Sequence, residues 1–199
     1  MDKTRAIIAI ATILLLYVAF STAAAQTTKM KNTSSAVPAP QDYCTSTGGT
    51  LETRYPVYGT NGATQDWLQL QGRQGFCQYT QSSDGSRIHV SLETLFTTKP
   101  TLAALAYYAQ TPPQSGQGNP ASVYCSQLGG SDLFGGINAA GGGWVELNTT
   151  DVVLEACIFP DNSTIDSWGL FYHSASIIRG IDLSTVLKYQ NPYAKTKTK

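Results

Sequence analysis

Apolar and polar positions change rhythm several times along this chain, and each rhythm predicts an element. The chain begins with a continuous apolar run, Ala6 to Phe20, preceded by Lys3 and Arg5 and followed by Ala23-Ala24-Ala25. Basic residues, an apolar core and small residues in that order predict a secretory signal peptide over 1–25. The run is shorter than the roughly 18–20 residues that span a bilayer. Membrane contact is therefore expected only through this segment before cleavage, a retained N-terminal helix being the alternative.

Further on, Pro120-Ala121-Ser122-Val123-Tyr124-Cys125-Ser126-Gln127-Leu128 has proline early and Gly129-Gly130 just beyond, the punctuation of a short helix. Arg87 to Leu92 and Trp144 to Asn148 alternate apolar and polar side chains, which predicts half-buried strands. Val152 to Phe159 is a more continuous apolar run and is read as a further strand. Thr101 to Tyr108 and Asp182 to Tyr189 place apolar residues at helical spacing behind a residue able to cap a helix, so each predicts one. Short antiparallel sheets with flanking helices make the expected fold class α+β.

The pattern also repeats. Tyr43-Cys44 and Gly48-Gly49 recur as Tyr124-Cys125 and Gly129-Gly130, 81 positions later. Downstream, Trp67-Leu68-Gln69-Leu70 aligns with Trp144-Val145-Glu146-Leu147, Cys77 with Cys157, and Leu95-Phe96 with Leu170-Phe171. Near the end of each copy, Leu102, Leu105 and Tyr108 align with Leu183, Val186 and Tyr189. The chain thus divides into a signal peptide at 1–25, a flexible segment at 26–37, repeat unit one at 38–110, a Pro/Gly linker at 111–118, repeat unit two at 119–190 and a basic tail at 191–199. Two tandem small units, each with its own sheet, are expected.

A unit of this size buries a marginal core, and a crosslink supplements it. The four cysteines, Cys44, Cys77, Cys125 and Cys157, allow three connectivities. Duplication of a self-contained unit favours Cys44 with Cys77 and Cys125 with Cys157, and export places them where disulfides persist.

Residues 119–130 (Asn119-Pro120-Ala121-Ser122, Cys125, Gly129-Gly130), together with Cys157-Ile158-Phe159-Pro160-Asp161-Asn162-Ser163 and the acid-Ser-Trp of Asp166-Ser167-Trp168, resemble a family of small secreted domains often labelled hemolysin. The resemblance covers most of unit two and only the cysteine, glycine and apolar skeleton of unit one. It implies secretion and a compact disulfide fold, and it carries no catalytic residues to transfer. Two departures stand out: the stretch between the glycine pair and Cys157 is long, and Ile165 stands where many members have a third cysteine. No amphipathic or pore-forming stretch accompanies the label.

Charge narrows the function. Thirteen Lys and Arg balance thirteen Asp and Glu, leaving no basic stripe for nucleic acid. Residues 38–190 hold six basic against twelve acidic side chains, while Lys29, Lys31, Lys195, Lys197 and Lys199 lie in the tails. An acidic body with basic ends can associate head to tail, and Lys195, Lys197 and Lys199 are the candidate assembly contacts.

Candidate chemistry is sparse. His89 and His173 have serines and acids around them but no nucleophile motif, so no catalytic residue is assigned. Asp161, Ser163 and Asp166 look like part of a calcium loop without its glycine and distal glutamate, and a turn with a helix cap is the better reading. Gly135-Gly136 and Gly141-Gly142-Gly143 lack the lysine of a phosphate loop. Trp67, Trp144 and Trp168 could form a sugar platform, though equivalent placement of Trp67 and Trp144 favours a core role. Asn32, Asn148 and Asn162 open glycosylation sequons. No metal or cofactor is expected.

The leading expectation is a non-catalytic secreted structural protein of the outer cell envelope that self-associates through strand edges into a surface layer, sheath or fibre. Its composition is similar to that of archaeal-type sheath and surface-layer proteins. The alternative is a secreted binding module, inhibitor-like or carbohydrate- or protein-binding, and a hydrolase ranks third.

Overall fold

The computed structural model describes residues 39–132, 140–147 and 153–193. In chain order these form α1 (Pro40–Ser46), β1 (Thr50–Tyr58), β2 (Leu68–Gln69), β3 (Gln74–Thr80), β4 (Arg87–Ser91), α2 (Leu92–Phe96), α3 (Leu102–Ala109), α4 (Pro120–Gln127), β5 (Gly142–Glu146), β6 (Ala156–Ile158), β7 (Thr164–Asp166) and α5 (Ser167–Ser174). Single 3-10 turns lie at Thr64–Asp66 and Leu183–Thr185. The signal segment, Asn32, Asn148, Gly135-Gly136 and the lysines at 195, 197 and 199 lie outside the described residues.

The glycine pairs show why this motif recurs. Gly48 and Gly129 end their helices at φ +87 and +85, a left-handed conformation that favours glycine. Gly49 and Gly130 serve a different need: a Cβ on either would run into the disulfide beside it. Those bonds are Cys44–Cys77 and Cys125–Cys157, each tying the helix before the glycines to a strand of its own copy. The protein is thus α+β with the two expected disulfides, whose persistence marks an oxidising, non-cytoplasmic environment.

In place of two separate small sheets there is one. β2 and β3 pair with successive parts of one edge of β1 and β5 with its other edge; from β3 the order continues β4-β7-β6, and every pairing is antiparallel. The ends of this sheet meet, because Trp144 of β5 and Leu154, just before β6, exchange two backbone hydrogen bonds of 2.8 Å. The sheet curls closed at this bridge.

The registers reveal an approximate two-fold relation between the copies. Thr50 pairs with Gln78 and Cys77 with Val90; Ser131 pairs with Ile158 and Cys157 with Ile165. The copies then join twice, at Val90 with Ile165 and around Tyr55 with Val145. By the same registers Trp144, opposite Leu154, holds the position of Arg54, opposite Gln74, so the sequence alignment of Trp144 with Trp67 is corrected. Extra residues between Ser131 and Trp144 hid this equivalence: four positions separate Thr50 from Arg54, and thirteen separate Ser131 from Trp144.

The copies also exchange their ends. Leu102 and Ala103 at the start of α3 donate to Asp161 and Ser163 of copy two, while Gly180 and Lys188 donate to Ser86 and Leu95 of copy one. Tyr43 meets Phe96 edge-on and Tyr124 meets Phe171 in the same way, at centroid distances of 5.5 and 6.1 Å. A single core therefore runs from Cys44 to Leu187 between the helices and the outer face of the sheet. The helix expected over Asp182–Tyr189 is instead one 3-10 turn, capped by Asp182. Its chain leaves helical geometry to lay Leu183, Val186 and Leu187 into that shared core.

Candidate functional site

The inner face of the curled sheet has an unusual distribution of side chains. Along β1 the polar Glu52 and Arg54 point inward and are buried, while Leu51 and Thr53 face out. Across from them, β4 is buried on both faces. Ile88 and Val90 face the helices, so His89 and Ser91 face the interior of the curl. One part of this interior is apolar, formed by Phe76, Leu154 and Ala156 with Trp144 edge-on to Phe76. The rest is an ion-pair network.

Arg54 Nε donates to Glu52 Oε2 at 2.7 Å, and Arg54 Nη1 donates to the Trp144 carbonyl at 3.2 Å. His89 lies between two carboxylates, Nδ1 3.3 Å from Asp166 Oδ2 and Nε2 3.4 Å from Glu52 Oε2, with Gln78 Oε1 3.1 Å from the same Nε2. Burial alone would push the His89 pKa down, but the hydrogen bonds to Asp166 and Glu52 raise it. Burial would likewise raise Glu52, and the hydrogen bonds from His89 and Arg54 hold it below the usual carboxylate range. Arg54 and His89 thus face Glu52 and Asp166 in a buried network, an arrangement that offsets the desolvation of each.

Both His89 ring nitrogens have partners inside the network, and the ring helps to position Asp166. His173 is elsewhere, on α5, stacked on Tyr107 at 3.7 Å. The two histidines do not converge.

The network opens through Asp166 into a cavity of about 350 Å³. Trp168, Glu155, Leu154, Val153 and the His89 ring line it, together with the exposed Gly85 and Arg87 and the half-buried Arg179. Glu155 is the residue that sequence reasoning missed. Its carboxylate accepts from Asn119 Nδ2 at 2.7 Å on each oxygen, and burial followed by the nearby Asp132 carboxylate pushes its pKa up. Asn119 also caps α4 by accepting from Ala121 N, and Ser122 donates to Asp132. The Asn-Pro-Ala-Ser segment is therefore the brace for this wall, a signal that lay in the sequence without its target.

On the other side of the cavity, Trp168 meets Phe171 edge-on, and Arg179 lies 5.0 Å above Tyr172 while its Nε donates to the Arg87 carbonyl. Asp166 both lines the cavity and caps α5, its Oδ1 accepting from Gly169 N. Asp161 is a turn acceptor for Ser163 and a cap for α3, as the turn reading expects. Gly143 lets strands approach: a Cβ there would stand 2.6 Å from the Leu154 carbonyl oxygen. Among the described residues, no group of His, Cys, Asp and Glu could hold a metal ion, and no helix is long and apolar enough to cross a membrane.

Fold and site together define a small disulfide-bonded α+β domain, a curled antiparallel sheet with a charged interior that opens at one surface cavity. The chain is similar to the proteins called uncharacterized protein YoaF, 38% identical over 63 residues, in Escherichia coli K12, Escherichia coli O6:H1 and Shigella flexneri. That stretch is 32% of this chain and 61% of the relatives' length. No family model matches the chain, and no solved structure matches it.

Proposed function

We propose that this protein is a secreted binding module whose cavity above Asp166 takes a small zwitterion, an amino acid or short peptide, with its ammonium inward. One observation carries the reading: the cavity is lined by two carboxylates and two guanidinium groups. Asp166 is 6% exposed, Glu155 and Arg179 are half-buried, and Arg87 is exposed. An ammonium between Glu155 and Asp166 would relieve the repulsion that burial intensifies there, and the ligand's carboxylate would then reach the two arginines. Trp168 supplies an aromatic wall suited to a cation or an aliphatic chain. The volume lies within the range of about 300–1,000 Å³ common to small-molecule pockets.

Secretion is part of the same proposal. The two disulfides and the expected signal peptide support it.

Calorimetric titration with glycylglycine, against acetate and methylamine as half-ligands, tests the site. The dipeptide should bind more tightly than either half, and Glu155→Gln, which keeps an acceptor for Asn119, should remove that advantage. Equal binding of all three, or an unaffected Glu155→Gln variant, would overturn the reading.

Self-association into a surface layer or fibre is the second reading. An exposed apolar pair on the sheet favours it: Tyr58 and Leu68, directly opposed across β1 and β2. Light scattering of the full chain with and without Leu68→Lys tests it, with a fall in mass expected for the variant. Identical mass for both would remove it.

A further inference from the structure

The two-fold relation between the copies carries the site to a second place. Counting along the equivalent strands and helices, Val153 corresponds to Arg73, Leu154 to Gln74, Glu155 to Gly75, Trp168 to Glu93 and Arg87 to Asn162. The first member of each pair lines the 350 Å³ cavity, and the second lines a separate cavity of about 630 Å³. Duplication has placed one cavity at each of two equivalent junctions between the copies, and substitution has changed what each can recognise.

The second cavity is larger where Glu155 is replaced by Gly75. Its chemistry is also different. Asp161 is consumed within the fold, Oδ2 by Leu102 N and Oδ1 by the Ser163 N–H and hydroxyl. The Thr94 hydroxyl accepts from Ser91 and from Thr164 N. These bonds lock the inner wall, while Arg73 and Glu93, of opposite sign, stand exposed at the opening. Trp144, edge-on to Phe76 and half-buried, adds an aromatic surface, and Asn162, exposed in a left-handed turn at φ +62, adds a side-chain amide.

We infer that this second cavity is a binding site for a neutral polyhydroxylated ligand, a short oligosaccharide that packs on Trp144 and hydrogen-bonds to the Asn162 amide. An aromatic wall with a few placed polar groups is what orients a ligand in an open surface pocket. Arg73 and Glu93 offset each other at the opening, and the Asp161 carboxylate is held by Leu102 and Ser163, which favours a neutral ligand over either ion. The inference stands on the second cavity alone and does not require the zwitterion site.

The test uses the full mature chain from an oxidising bacterial host that does not glycosylate Asn162. Cellotriose, maltotriose and chitotriose are titrated separately to millimolar concentration while the three tryptophan indole N–H resonances are followed by NMR, Trp144 being assigned from Trp144→Phe. At least one trisaccharide should shift the Trp144 resonance and leave Trp168 in place. Asn162→Gly, which keeps the backbone conformation, should weaken that binding about tenfold, the worth of one or two hydrogen bonds. Glu155→Gln should leave it unchanged, which separates this site from the first. No shift at Trp144 with any of the three sugars, or a shift confined to Trp168, would overturn the inference. So would undiminished affinity in Asn162→Gly.

Discussion

Val90 and Ile165 hold the same position in the two copies, and they pair with each other across the sheet. Each is also paired to the strand that carries its own copy's second cysteine, Val90 opposite Cys77 and Ile165 opposite Cys157. Both disulfides therefore flank one junction in one core, and the copies should unfold together. Replacing Cys125 and Cys157 by serine opens a loop of about 33 residues, for which chain entropy gives a loss on the order of 3–4 kcal/mol. Calorimetry should show a single transition at lower temperature for this variant. Two separated transitions would mean that the copies fold independently.

The exchange of chain ends predicts behaviour after cutting. Residues 113–118 are mostly exposed, while the flanks of this segment are tied down, Tyr124 donating to the Thr111 carbonyl and Gln127 to that of Pro112. A protease site introduced at Ser115-Gly116 should be cleaved without loss of the fold. The two fragments should co-elute under native conditions and separate in denaturant. Separation under native conditions would show that the interlock is weak.

Stability should depend on pH at both ends. Glu52 has a depressed pKa, so its contribution is complete above the pKa it has in the unfolded chain and is lost as pH falls through its folded value. His89 has a raised pKa, so its contribution is complete below its unfolded pKa, near 6.5, and is lost as pH rises through its folded value. Denaturant titrations across pH should give a maximum between these limbs. His89→Gln should flatten the alkaline limb and also weaken the acid limb, because His89 helps to hold Glu52 low; an unchanged alkaline limb would place the titrating group elsewhere.

Asn119 joins helix capping to the wall of the first cavity. Asn119→Ala should cost about 1 kcal/mol for the lost cap, more where the Glu155 carboxylate also loses its donor. Asn119→Ser should restore most of the capping contribution without restoring the reach to Glu155. Comparing the two by urea denaturation separates the cap from the brace, and equal stability of the two variants would assign Asn119 no capping role.

The second glycine of each pair should tolerate no side chain. Gly49→Ala and Gly130→Ala each drive a Cβ into a disulfide and should destabilise by about 1–3 kcal/mol, the range for overpacking a filled core. Thermal denaturation of both variants checks this, and a loss at one position alone would argue against their equivalence.

Short-range features were legible along the chain. The cysteine pairs, the helix after Asn119-Pro120, the strand after Arg87 and the caps at Thr101 and Asp182 follow from residue type and spacing, since turns, caps and alternation act over a few residues. The strand at Thr50–Tyr58 was not legible, because its inward positions carry Glu52 and Arg54 and its outward ones Leu51 and Thr53, the reverse of an ordinary amphipathic strand. The duplication could be read from Cys, Gly and Leu, but not what it builds. Whether two copies make two sheets or one depends on strand pairings 75 and 90 positions apart, Val90 with Ile165 and Tyr55 with Val145, which leave no local trace. The charged interior, the Glu155 wall and the two related cavities exist only once those pairings are made. They bring together residues whose chemistry is unremarkable until burial and a neighbour of opposite charge give it force.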